Sequence, residues 1–132
     1  MTLLPSRMLA DLKEQHAAIR VLMQRCEQVS GPALSDAVDD LRLALDAHNR
    51  FEERLLLPVL RELDAFGDVR IEEMLHDHVN EHLALNQDLT TESPEAVVEA
   101  LEKLSAHLAA EERYFVTSRV LRDDLVSLEG AG

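Results

Sequence analysis

Apolar residues recur along the chain in alternating steps of three and four, the spacing of one face of an α-helix. The second such run is Leu34, Val38, Leu41 and Leu45, and it resumes in register with Leu55 and Val59 after two polar positions, 48 and 52. Turn-forming residues interrupt the pattern at 30–32, 64–68 and 90–94, so the chain divides into four long helical segments. Connections this short predict antiparallel neighbours. The pattern therefore predicts an all-α fold, an up-down-up-down antiparallel four-helix bundle. It forms a single domain over residues 1–132, with a core over about 6–127.

Two prolines refine these boundaries. Ser93 followed by Pro94 and Glu95 is a typical helix start, because serine caps the helix and proline fits its first position. Pro58 lies late in the second segment and predicts a kink or a helix end nearby.

Polar side chains interrupt the apolar face in all four segments. They are His16, His48, Glu52, His78, His82, His107 and Glu111. A single buried histidine or glutamate is most simply explained as a hydrogen-bonded core residue. Seven unpaired groups at about 1–3 kcal/mol each would cost as much as, or more than, the whole stability of a typical domain, about 5–15 kcal/mol. These groups therefore need a common compensating partner.

A metal site meets this need. Three pairs have the i, i+4 spacing that directs two side chains to one place: His48 and Glu52, His78 and His82, His107 and Glu111. Neutral imidazole and carboxylate are good ligands for Fe, Mn or Zn. Five imidazoles and two carboxylates exceed the needs of one ion. They fill most of two octahedra if both carboxylates bridge, so the sequence predicts a di-metal site in the bundle core.

The chain also contains an internal repeat. The second and fourth segments share the motif H-x3-E-E-R, and the first and third align with His16 opposite His82. On this alignment Leu12 corresponds to His78, so one metal would have three histidines and the other only two. We therefore expect an open coordination position beside an apolar leucine, which suits a small ligand such as O2, peroxide or NO.

The ordered pattern H…H-x3-E…H-x3-H…H-x3-E, with EE-x2-L-x-P in the second segment, resembles the hemerythrin-like (HHE cation-binding) proteins over about residues 8–120. The resemblance implies a non-haem di-iron centre (Fe2+/Fe3+). Its ligands would be His78, His82 and His107 on one iron and His16 and His48 on the other. Glu52 and Glu111 would bridge the irons alongside an oxo or hydroxo group. O2 would bind end-on at the iron with the open position.

The last motif departs from that of the oxygen-carrying members, which have H-x4-D where this chain has H-x3-E. Glu112 would satisfy an i+5 spacing from His107, but Glu111 lies closer to the face of that histidine. This ending is typical of bacterial members that handle oxygen or react with peroxide or nitric oxide. Three functions remain open: a carrier, sensor or scavenger of O2 or a related species; an oxidoreductase acting on hydrogen peroxide or nitric oxide; and metal binding without turnover.

Several other residues are candidates for supporting roles. Tyr114 lies one turn beyond Glu111 and is the candidate to contact a bound oxygen species, although a core tyrosine is the simpler interpretation. Gln15, Asp77 and Glu81 are candidate acceptors for the N–H groups of metal-binding histidines.

Composition limits the partners and the location. The net charge of −13 argues against nucleic acid or an anionic membrane as a partner. Cys26 is the single cysteine, so no intrachain disulfide is possible, and the sequence has no run of about 20 apolar residues for a membrane helix. We expect a cytoplasmic monomer or dimer, with an electron-donor protein as a partner if the centre turns over.

Overall fold

The described residues are mostly α-helical, and residues 29–31 form a short turn between the first two helices. The computed structural model describes residues 4–63, 76, 80–85, 87, 89, 93–114, 116–118, 120, 121 and 123. Helices α1, α2, α3 and α4 span Pro5–Gln28, Pro32–Phe51, Leu57–Leu63 and Pro94–Tyr114. Residues 80–85 are also helical, and we call them the 80–85 segment. α2 and α3 continue into each other through a π-helical turn, and we call this continuous helix the α2–α3 rod. Together with α1, the 80–85 segment and α4 it makes four helices, so the predicted all-α fold is confirmed for the described residues. His78 and Asp77 lie outside the described residues.

The helix starts follow from local sequence. Pro5 and Pro32 occupy the first turns of α1 and α2, where the missing N–H has no helical acceptor. Gly31, which precedes α2, has φ of 63°, a left-handed conformation that favours glycine. At α4 the Ala96 N–H donates to Ser93 Oγ (3.4 Å), so the predicted cap is confirmed.

The α2–α3 rod departs from regular α-helix over Glu52–Leu56, which form a wide, π-helical turn. In this turn the Leu57 N–H donates to the carbonyl of Glu52, five residues earlier. The rod continues beyond Pro58 to Leu63, so Pro58 does not end it. Pro58 lies in the first turn of α3, where a missing N–H costs little.

The buried apolar residues that the structure describes form two main clusters. The larger one draws residues from α1, α2, α4 and positions 85 and 89, and includes Ile19, Leu45 and Leu104. The smaller one, which we call the Leu12 cluster, contains Leu12, Leu56, Leu57, Leu60, Val116 and Leu121. α1 and the α2–α3 rod contribute to both clusters, α4 contributes to the larger one, and Val116 and Leu121 after α4 contribute to the Leu12 cluster. The polar core residues of these helices lie between the two sets of apolar positions. The polar layer is therefore enclosed by apolar side chains on both sides.

Residues that follow α4 close one end of the molecule. Leu121 packs into the Leu12 cluster, and the carboxylate of Asp123 accepts hydrogen bonds from Ser6 N–H (2.8 Å) and Ser6 Oγ (2.7 Å). These bonds hold the chain after α4 against the first turn of α1. None of the described helices combines the length and apolar character that a membrane crossing requires.

Candidate metal centre

Six of the seven predicted site residues meet in the polar layer, and the seventh, His78, lies outside the described residues. All six are buried, with at most 6% of each exposed. Their donor atoms form two groups within 4.8 Å. One group is His16, His48, Glu52 and Glu111, and the other is His82, His107 and Glu111.

The two carboxylates connect the groups. Glu111 Oε1 lies 3.0 Å from His16 Nε2 and 3.2 Å from His48 Nε2, while its Oε2 lies 3.3 Å from His107 Nε2. Glu52 contacts His48 through Oε1, and its Oε2 lies 3.8 Å from His82 Nε2. Each carboxylate thus presents one oxygen to each histidine pair. This arrangement can bridge two metal ions.

The histidine pairs are arranged alike, as the sequence repeat predicts. The rings of His16 and His48 meet edge to face with centroids 4.9 Å apart at 68°. Those of His82 and His107 do the same at 5.2 Å and 73°. The two histidine pairs therefore share the same edge-to-face arrangement.

Each histidine directs its other nitrogen to an oxygen outside the layer. The Nδ1–H groups of His16, His48, His82 and His107 donate to Glu112 (2.7 Å), Gln15 (2.7 Å), Glu53 (3.2 Å) and Glu81 (2.6 Å), respectively. Gln15 and Glu81 had been predicted as such acceptors, whereas Glu53 and Glu112 had not. The signal for these two was the doubled glutamate in each H-x3-E-E motif. The first glutamate lies in the layer, and the second binds a histidine of another helix.

Of the two glutamates in the last H-x3-E-E-R motif, Glu111 faces the polar layer and Glu112 does not. Glu111 is buried among the histidines, and Glu112 lies on the outer side of His16. Arg20 binds Glu112 through both terminal nitrogens, at 2.5 and 2.9 Å. These hydrogen bonds hold the pKa of Glu112 below its ordinary value.

The chemistry of the donor set fits a cation between the side chains. A carboxylate only accepts hydrogen bonds, so a neutral histidine whose Nδ1–H binds an outer oxygen turns the lone pair of Nε2 toward the inner carboxylates. Lone pairs facing anionic oxygens in a buried layer repel unless a proton or a metal ion lies between them. Four imidazole nitrogens and two carboxylates are suitable ligands for a borderline divalent metal.

In the metal-free chain, a proton on His48 can take that place. Burial lowers the pKa of His48, but hydrogen bonds and attraction to Glu111 and Glu52 outweigh it and raise this pKa to about 9. Burial raises the pKa of Glu111, but a hydrogen bond that shares a proton with Glu52, together with hydrogen bonds from the neighbouring histidines, holds it well below the ordinary value. Both directions show a layer that attracts positive charge.

The predicted position of Tyr114 beside the site is wrong, because Tyr114 is 56% exposed. The cause is a second wide turn, in which the Val116 N–H donates to the carbonyl of Glu111 (2.7 Å), five residues earlier. Val116 is buried in the Leu12 cluster. The same shift occurs after Glu52, where the predicted core residue Leu55 is 39% exposed and Leu56 is fully buried.

Comparison with known proteins agrees with the geometry. Residues 7–118, most of the chain, match the family model of the hemerythrin HHE cation-binding domain. Neither the curated proteins nor the solved structures gave a match. The family match covers both histidine pairs and both bridging-type carboxylates. The chain therefore belongs to the hemerythrin HHE cation-binding domain family.

Proposed function

We propose that this protein holds two iron ions and binds O2 or a related small species, such as peroxide or nitric oxide, beside one of them. The observation that carries the proposal is the pair of carboxylates that each face both histidine pairs. Two bridging carboxylates between imidazole ligands suit a di-iron centre. The iron would supply the redox chemistry and the coordination position for the small ligand.

In this proposal each half of the layer holds one ion. His16 and His48 would hold the first and His82 and His107 the second, and both ions would share Glu52 and Glu111. His78 remains the predicted third histidine of the second ion. Leu12, its counterpart in the repeat, is fully buried in the Leu12 cluster. On this assignment the first ion lacks a third histidine, so it would keep the open position for a small ligand.

The described surroundings of that position favour reversible binding over reduction of the ligand. Leu12, Leu56 and Val116 bring only hydrocarbon to the adjacent cluster, which excludes water and offers no proton. Tyr114, the residue that would have favoured an oxidoreductase by donating a proton, is exposed. A carrier, sensor or scavenger of O2 is thus better supported than a peroxide- or NO-consuming enzyme.

The first experiment measures iron content and then the visible spectrum. Iron-loaded protein is reduced without oxygen, exposed to O2 and purged with argon. We expect two irons per chain and an absorption band that disappears on purging with recovery of the reduced form. A band that persists after purging would instead indicate oxidation of the centre, and turnover with peroxide and nitric oxide would then be assayed.

Substitutions test the ligand assignment. His16→Ala and Glu52→Ala should each lower the iron content while the helical circular dichroism remains. His76→Ala is the matched control, because His76 is exposed and should leave the iron content unchanged. Full occupancy in both site variants would refute the assignment.

The open position has its own test. Leu12→His copies the histidine of the other repeat and should suppress O2 binding while two irons remain bound. Leu12→Met keeps the apolar wall and should retain O2 binding.

A further inference from the structure

The two histidine pairs are alike in geometry but differ in the groups behind them. His82 and His107 donate their Nδ1–H to the carboxylates of Glu53 and Glu81. His48 donates to Gln15, which is a neutral amide.

His16 also has a carboxylate behind it, but that carboxylate is neutralised. Glu112 receives two hydrogen bonds from Arg20, at 2.5 and 2.9 Å. Among the described residues, the ion pairs of Glu53 and Glu81 are with the histidines alone. One half of the layer is therefore backed by two carboxylates, and the other by an amide and an arginine-bound carboxylate.

This difference changes the donor strength of the inner nitrogens. A carboxylate that accepts the Nδ1–H draws the proton toward itself and makes Nε2 a stronger ligand. A neutral amide does so less, and a carboxylate that shares its charge with a guanidinium also does so less. The Nε2 atoms of His82 and His107 are accordingly the stronger donors.

We infer that these outer partners make the two ion positions unequal, so that the His82–His107 position fills first and the His16–His48 position fills second and more weakly. The inference rests on the proposed di-iron function. It assigns Gln15 and Glu81 as positioning residues that set the order of filling. The weaker position is the one that faces Leu12, where the small ligand is proposed to bind.

The repeat provides a matched pair of substitutions. Gln15 precedes His16 as Glu81 precedes His82. The substitutions Gln15→Glu and Glu81→Gln therefore give each half of the layer the outer partner of the other half, with almost no change in side-chain volume. Glu81 is half-exposed and lines a pocket of about 340 Å³ between the 80–85 segment and α4, which leaves room for the amide. Glu102→Gln on the exposed face of α4 is the control for a charge change alone.

The test is an anaerobic calorimetric titration of the metal-free protein with Fe2+. We expect two steps in the unsubstituted protein. Glu81→Gln should weaken the first step by about 10-fold, the lower end of the usual range because water screens its carboxylate. Gln15→Glu should strengthen the second step by about 10-fold. Glu102→Gln should change neither step.

Mössbauer spectra of the 57Fe-loaded variants show whether the effect is confined to one ion. Glu81→Gln should change one quadrupole doublet and Gln15→Glu the other. A general structural disturbance would change both together. If Glu81→Gln does not fold, Glu53→Gln replaces it, because Glu53 backs the other histidine of the same pair.

The outcomes separate this inference from the proposed function. The inference would be overturned, and the di-iron centre would stand, if two irons bind but neither substitution changes a binding step. The same conclusion would follow if each substitution changes both binding steps equally. Fewer than two irons in the unsubstituted protein would overturn both.

Discussion

The protonation of His48 makes the stability of the metal-free protein depend on pH. Its pKa is about 9 in the folded chain, against an ordinary value of 6.5. A raised folded-state pKa stabilises the fold fully below 6.5, and this stabilisation is lost as the pH rises through about 9. Metal-free protein should therefore become less stable between these limits, a range in which carboxyl groups of ordinary pKa stay ionised.

The size of the effect follows from the two pKa values. At about 1.36 kcal/mol per pH unit, the difference between 6.5 and about 9 corresponds to about 3 kcal/mol in total. Between pH 6.5 and pH 8.5 the loss should be about 2 kcal/mol, because part of the stabilisation remains until the pH exceeds the folded-state pKa. Glu111 acts in the opposite direction, since its lowered pKa gives stability above 4.5 that is lost in acid.

The assay is urea unfolding of chelator-treated protein, followed by circular dichroism from pH 6 to pH 8.5. His48→Gln should largely abolish the decline, and His76→Gln, at an exposed position, should leave it unchanged. Iron-loaded protein should not show the decline, because the metal replaces the proton. An equal slope in His48→Gln and the unsubstituted protein would refute the assignment, as would stability that increases with pH.

Three smaller predictions use the same unfolding measurement. Arg20→Gln should lower the free energy of unfolding by less than about 1 kcal/mol, because the pair with Glu112 is 36–42% exposed; a larger loss would give this pair a structural role. Ser93→Ala should cost about 1 kcal/mol through the lost helix cap, and Ser93→Gly only a few tenths. Asp123→Ala should cost about 1 kcal/mol by releasing both hydrogen bonds to Ser6, and Ser6→Ala should cost less because the backbone bond remains.

The sequence could place the candidate ligands close together because they lie on regular helix faces. Steps of three and four fix the direction of a side chain along an α-helix, so His48, Glu52, His107 and Glu111 could be placed together from spacing alone. The outer partners depend instead on how neighbouring helices sit beside each other. Glu53 acts on a histidine of another helix, and periodicity within one helix carries no information about that contact.

The regular helical pattern fails just after Glu52 and Glu111. At each place a backbone hydrogen bond joins residues five apart instead of four, so the turn contains one extra residue and the side chains that follow are rotated. After Glu52 this shift moves the core position from Leu55, 39% exposed, to Leu56, fully buried. Leu56→Ala should therefore cost about 2–5 kcal/mol, whereas Leu55→Ala should cost less than about 1 kcal/mol. An uninterrupted α-helix predicts the reverse order. Urea unfolding of the two variants distinguishes these cases. A greater loss of unfolding free energy in Leu55→Ala than in Leu56→Ala would show that the α2–α3 rod has no wide turn beside Glu52.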